Sequence, residues 1–200
     1  MTIEPESIYL ADPGDHTVDD LLEDWRWFVG DGPWELLLVT AWGDLVIVSE
    51  EGEAHLLDTD NGVRCKLPGK LSSVREIFTD EDVEETFDWA GIVADLQSPD
   101  RGGPLKSGQC FGATVPIALS GHVQPGNTAR VSLLNHISIQ GQLWRQLQDV
   151  PPGTAVKSVK TDPERRVIEL VFEEHENLEE PKLSGSDSIL SRLGRLFRGS

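Results

Sequence analysis

Between Trp34 and Leu67 the chain reads WELLLVT, AWGD, LVIVSE, EGE, AHLLD, TDNG and VRCKL. Short apolar runs divided by Gly43-Asp44, Glu51-Gly52 and Asn61-Gly62 predict a meander of about four antiparallel strands. Leu36 to Val39 and Leu45 to Val48 are apolar without alternation, which makes them central strands covered on both faces. Asn61-Gly62 predicts a type I′ hairpin.

The flanks follow other periods. Residues 1 to 15 hold Pro5 and Pro13-Gly14 and read as an arm with one short edge strand at Ile8 to Leu10. Thr17 with Asp20 forms a capping-box pattern. Leu21, Leu22, Trp25, Phe28 and Val29 then share one helical face that stops at Gly30. After Pro68-Gly69 the pattern predicts a short helix near Leu71 to Phe78. A longer one opens at Thr79, apolar at Val83, Phe87, Ala90, Val93 and Ala94. Cys110 to Leu119 reads as an edge strand or an extended segment kinked at Pro116, and Ser120 to Ala129 as a loop. Arg130 to Val150 reads as a helix carrying Leu133, Leu134, Ile137, Trp144 and Leu147 on its period, with Gly141 letting another backbone come close.

Beyond Pro151-Pro152-Gly153, TAVKSVK and RVIELVFEE form a hairpin across the turn DPER. Residues 175 to 187 are a polar linker. Ser188 to Arg198 places Ile189, Leu190, Leu193, Leu196 and Phe197 on one helical face and Arg192, Arg195 and Arg198 elsewhere, a basic amphipathic tail suited to a partner groove, to weak membrane-surface contact or to packing on its own domain. The expected architecture is α+β: a meandering antiparallel sheet packed against three to four helices, with a C-terminal hairpin and the tail helix. Residues 1–174 form the domain, 175–187 the linker and 188–200 the tail.

Net charge is -18, unevenly spread. Residues 1 to 60 hold 16 acids against Arg26 alone, whereas residues 101 to 160 hold only Asp149 against six bases. Such an excess repels nucleic acid and draws basic partners. Acidity that serves solubility alone is the plain alternative. Cys65 and Cys110 have no CxxC spacing, and the start lacks a signal-peptide pattern, so a reduced, cytoplasmic setting is expected.

Catalytic and cofactor patterns are scarce. Cys110, His122 and His136 are the available nucleophile and bases of the central stretch, but Cys110 lies in an apolar run that favours a buried, inert thiol. The five histidines have no metal-ligand spacing. Asp58 and Asp60 lack the remainder of a calcium loop and suit a turn better. No GxGxxG, Walker or GxSxG pattern occurs, so no cofactor is expected. The six tryptophans mostly fall on apolar periods and read as core, with an aromatic platform as the alternative.

Three stretches carry a family resemblance: Thr40 to Leu45 (TAWGDL), Gln109 to Gly121 (QCFGATVPIALSG) and His136 to Gln146 (HISIQGQLWRQ). Over about residues 15 to 155 the chain resembles bacterial type VI secretion immunity proteins that neutralise a DNase toxin, the Tdi-type proteins with a GAD-like region. Ser120 departs from the family's usual glycine, and the hairpin and tail after Thr154 fall outside the resemblance. Membership implies a non-catalytic, cytoplasmic inhibitor whose partner is a basic cognate toxin rather than nucleic acid, and whose mechanism is occlusion. Glu50, Glu51 and Glu53 on a hairpin turn, with Asp80, Glu81, Asp82, Glu84 and Glu85 at a helix start, are the expected contact acids. The alternative is an adaptor recruited through the tail to a membrane or partner.

Overall fold

The computed structural model describes residues 7–69, 74, 89–151, 154–162 and 167–173. An antiparallel sheet runs in chain order through β1 (Leu10–Ala11), β2 (Trp34–Thr40), β3 (Leu45–Ser49), β4 (Ala54–Asp58) and β5 (Val63–Lys66). Successive strand side chains point to opposite faces. Val46, Leu38, Leu56 and Trp42 therefore enter one core cluster, and Leu45, Ile47, Val39 and Leu57 the other. Leu45, Val46 and Ile47 are fully buried and Val48 nearly so. Both faces are covered, as the unalternating runs require. Each such side chain contributes about 1.5–3 kcal/mol of burial.

On the first face, α3 (Ala90–Leu96) buries Ala90 and Val93, and Trp89 beside it stacks on Trp42 with centroids 6.5 Å apart. On the second lie α1 (Val18–Leu22), a 3-10 turn (Glu23–Trp25), α2 (Arg26–Val29) and α4 (Leu133–Leu147). The capping box forms: Asp20 N donates to Thr17 Oγ1 at 3.2 Å, and Thr17 N donates to Asp20 Oδ2 at 2.8 Å. The predicted face is buried at Leu21, Leu22, Trp25 and Val29. The helix is not continuous, however. It tightens at Glu23–Trp25, where α4 crosses, Trp25 Nε1 donates to Ile137 O at 2.9 Å, and Ser138 Oγ donates to Asp24 Oδ2.

Two boundaries differ from the sequence reading. The edge strand is Leu10–Ala11, opposite Thr40 and Val39, rather than Ile8 to Leu10. Arg130 is not helical: Thr128–Ser132 is β7, paired with β6 (Gln109–Ala113), and α4 begins only after Ser132 caps Asn135 N. The Arg130 guanidinium lies 5.5 Å over the Phe111 ring and donates to Leu96 O at 2.9 Å. An apolar period cannot register those long-range partners.

β8 (Val156–Asp162) and β9 (Val167–Phe172) pair antiparallel, and α4 grips β9 through its glutamines. Ile168 N donates to Gln142 Oε1 at 2.9 Å and Leu170 N to Gln146 Oε1 at 2.8 Å, while Gln146 Nε2 donates to Ile168 O at 2.9 Å. These bonds satisfy backbone groups on an edge strand that would otherwise be open. The turn DPER, the linker and the tail lie outside the described residues, as do the expected helices near 71 to 88 apart from buried Val74.

Candidate functional site

The two ends of the sheet carry carboxylates in opposite states. At one end the β3–β4 turn exposes Glu50, Glu51 and Glu53, and Glu35 and Asp31 are exposed on and before neighbouring β2. Register brings these together, since Trp34 faces Ser49, and Val48 faces both Glu35 and Ala54. Lys66 pairs with Glu53, and His55 Nε2 lies 3.9 Å from the same carboxylate. Ser49 Oγ donates to Glu51 at 2.8 Å and lowers the pKa of that exposed acid. Half-buried Trp34 meets His55 edge-on at 5.6 Å within this rim. A second exposed group, Asp15, Asp19, Asp20 and Glu23, lies on and around α1, and Arg26 pairs with Asp19.

At the opposite end the β2–β3 and β4–β5 loops bury Asp44, Asp58 and Asp60. Asp44 closes its own loop by accepting from Thr40 Oγ1 at 3.2 Å, and it ties down the other by accepting from Thr59 N at 3.1 Å. Asp58 accepts from Asn61 N at 2.9 Å and from its side-chain amide. Asp60 accepts from Trp42 Nε1 and from Gln140 Nε2, which anchors both loops to α4. Trp144 Nε1 adds a bond to Thr59 O at 3.1 Å.

This arrangement corrects the type I′ expectation. Asp58 is opposite Val63, so the loop holds four residues, and only Gly62 of them has positive φ (62°). A type I′ turn needs positive φ at both central residues. The Asp58 side chain instead turns the chain by capping Asn61. A Cβ on Gly62 would collide with the Trp144 indole.

The centre is chemically quiet. Burial pushes the Cys110 thiol well above its usual range, with Asp60 and Asp44 adding to the effect, so the thiol stays protonated and is a poor nucleophile. Cys65 is pushed up to about 11 by burial. His136 is held down to about 4 by burial and is neutral at physiological pH. Its Nε2 lies 3.7 Å from Asp60 Oδ1, beyond hydrogen-bond reach. Among the described residues, no three His, Cys, Asp or Glu are grouped to hold a metal ion.

Asp60 gives this centre a pH signature. Burial raises its pKa from 3.8 to about 7, against the opposing donors Trp42 and Gln140. A pKa raised in the folded state means stability that is full below 3.8 and is lost as pH rises towards about 7. His136 acts with the opposite sign: the unfolded chain protonates it at 6.5 while the folded chain resists until about 4, so its contribution grows with pH across that window. Asp60→Asn removes the first effect together with the upward push that the Asp60 charge exerts on Asp44, which has the same sign, and leaves the burial of His136 in place. Urea unfolding at pH 5 and pH 8 should show that the wild type loses about 3 kcal/mol more than the variant between the two, at about 1.4 kcal/mol per pH unit over the interval from 5 to about 7. Equal losses would mean that Asp60 is ionised throughout.

Of the expected contact acids, Glu50, Glu51 and Glu53 are exposed together, whereas Asp80, Glu81, Asp82, Glu84 and Glu85 lie outside the described residues. So do Ile189, Leu190, Arg192, Leu193, Arg195, Leu196 and Phe197. Asp31 and Glu35 join them through the register set by the β2–β3 turn, a long-range pairing rather than a local motif. Buried Asp44 and Asp60 carry no sequence signal that separates them from surface acids. His122 is exposed and His136 buried. Trp25, Trp42 and Trp89 are core, and Trp27, Trp34 and Trp144 are half-buried. Among the described residues, no helix is long and apolar enough to cross a membrane.

No family model and no curated protein sequence matches the chain. Among solved structures it is similar to the crystal structure of Atu4351 from Agrobacterium tumefaciens, with 15% identity, a TM-score of 0.48, and coverage of 78% of this chain and 71% of that one. A likeness of that size carries no argument about function.

Proposed function

We propose that this chain is a non-catalytic immunity protein that binds and occludes a basic bacterial toxin, a nuclease effector of the type VI secretion kind, through its acidic surface. The observation that carries this reading is the rim of Asp31, Glu35, Glu50, Glu51 and Glu53, brought to one end of the sheet around Trp34. A nuclease active site is lined by cations that accept phosphates. A row of carboxylates around an aromatic anchor can occupy such a site, steered by long-range attraction and held by packing.

The residues behind the family resemblance support the same reading. Gly43 of the first motif, Cys110 of the second and His136 of the third meet at one point, where a Cβ on Gly43 would lie 2.7 Å from His136 Cδ2 and 3.2 Å from Cys110 Sγ. The three stretches therefore act as one structural signature. Ser120, where the family carries glycine, has a left-handed φ of 71°, a conformation that glycine adopts without strain. The complete architecture we infer has three to four helices and a tail helix at Ser188 to Arg198. The setting we infer is the cytoplasm.

Co-expression with the toxin encoded beside it is the direct test: the protein should restore growth, and Cys110→Ala should restore it equally. Absence of rescue and of binding would sink the proposal. Rescue lost in Cys110→Ala, with binding and folding intact, would point to chemistry at the thiol.

A further inference from the structure

A cavity of about 630 Å³ opens along one face of α4, and none of the acidic rim residues lines it. Its floor is the stripe from Ser132 to Leu143, with Ile139 and Leu143 at the apolar positions. Its walls are Val115 and Val131 beside the β6–β7 pair, and Val159 and Ile168 of the β8–β9 hairpin. No Asp, Glu, Lys or Arg lines it. Val115 is 51% exposed and Val159 44% exposed, so the rim presents apolar surface to water. Groups of that kind favour a partner that covers them.

We propose that this cavity is the docking site of the chain's own C-terminal segment, Ser188 to Arg198. Four observations select that occupant. The β8–β9 pair walls the cavity at Val159 and Ile168, and the described chain leaves β9 beyond Phe172, about 13 Å further along the same strand. The 14 residues from Glu174 to Asp187 would span about 20 Å if they behaved as a random coil, which would put the tail at an effective concentration in the millimolar range. A helix of the tail's length spans about 16 Å, as does the α4 floor from Ser132 to Leu143. Ile189, Leu190, Leu193, Leu196 and Phe197 would supply one apolar stripe to an uncharged site, leaving the arginines in water.

The full-length chain can be tested with a nitroxide on Ser191→Cys, a position opposite the apolar stripe by helical spacing. Cys65 and Cys110 are buried and leave the label site-specific. Methyl NMR should show paramagnetic broadening concentrated on Ile139, Leu143, Val159 and Ile168, independent of protein concentration. Adding Leu193→Asp to the labelled chain should remove it without shifting methyls of the sheet core. Broadening spread evenly over the surface would overturn the proposal. So would broadening that requires a second copy, shown by its growth with concentration, or tail ordering that appears only with anionic vesicles.

Discussion

Gly141→Ala is expected to destabilise the protein by about 2 kcal/mol, although the same change on an exposed helix would stabilise it by about 1 kcal/mol. A Cβ at Gly141 would stand 2.6 Å from Asp24 O and 2.9 Å from Asp24 C, and a backbone atom cannot swing aside as a side-chain tip can. α4 must move off the Glu23–Trp25 turn, which strains the Trp25 bond to Ile137 O and the Ser138 bond to Asp24. Because β9 and the Asp60 loop hang on the same helix through Gln142, Gln146 and Gln140, the loss should spread beyond the contact itself. Urea denaturation of the two proteins checks this. An unchanged or raised midpoint would mean that the helix crossing is looser than its geometry indicates.

Reversing Glu35, Glu50 and Glu51 together to lysine should weaken toxin binding about 100-fold, with thermal unfolding little changed. Each reversal at a complementary interface is worth on the order of 1 kcal/mol, and about 1.4 kcal/mol is tenfold in affinity. Most of the change should fall on the association rate, and the salt dependence of the wild type should flatten in the variant. Titration calorimetry and stopped-flow mixing at two ionic strengths measure both. Unchanged affinity would remove the rim from the interface and leave the α1 acids Asp15, Asp19, Asp20 and Glu23 as the next surface to reverse. Glu53 is left in place because it already pairs with Lys66.

Formal charge overstates what a partner meets. Asp44, Asp58 and Asp60 belong to the acid-rich first 60 residues, yet each is buried and each has its pKa raised, mainly by desolvation. Part of the -18 is thus a property of the loops' interior, where the carboxylates serve as acceptors for Thr59, Asn61, Trp42 and Gln140. The same residue type performs two tasks at the two ends of one sheet. Environment, not composition, assigns them.

Local rules made much of the fold legible. The Thr17 cap, the Leu21 to Val29 face, the two central strands and the close approach at Gly141 all follow from periodicity, capping chemistry or the lack of a side chain, each of which acts over a few residues. The rim acids on the β3–β4 turn were legible for the same reason, since a Glu-Gly turn between two apolar runs must face water. What local rules missed is long-range. β7 became a strand because Arg130 found Phe111 and Leu96, and the Asn61-Gly62 turn opened to four residues because Asp58 capped it and Trp144 packed on Gly62.

By itself, the sequence determined the strand meander, both covered faces and the acidic exterior, because alternation, turn residues and charge count need no knowledge of distant partners. Only the tertiary structure decided which carboxylates are surface and which are core, that Cys110 and His136 are buried and chemically quiet, and that α4, β6–β7 and the hairpin enclose a cavity. Each of these depends on residues some 20 to more than 100 positions apart being packed in contact, and desolvation and hydrogen bonding are fixed only once that packing exists.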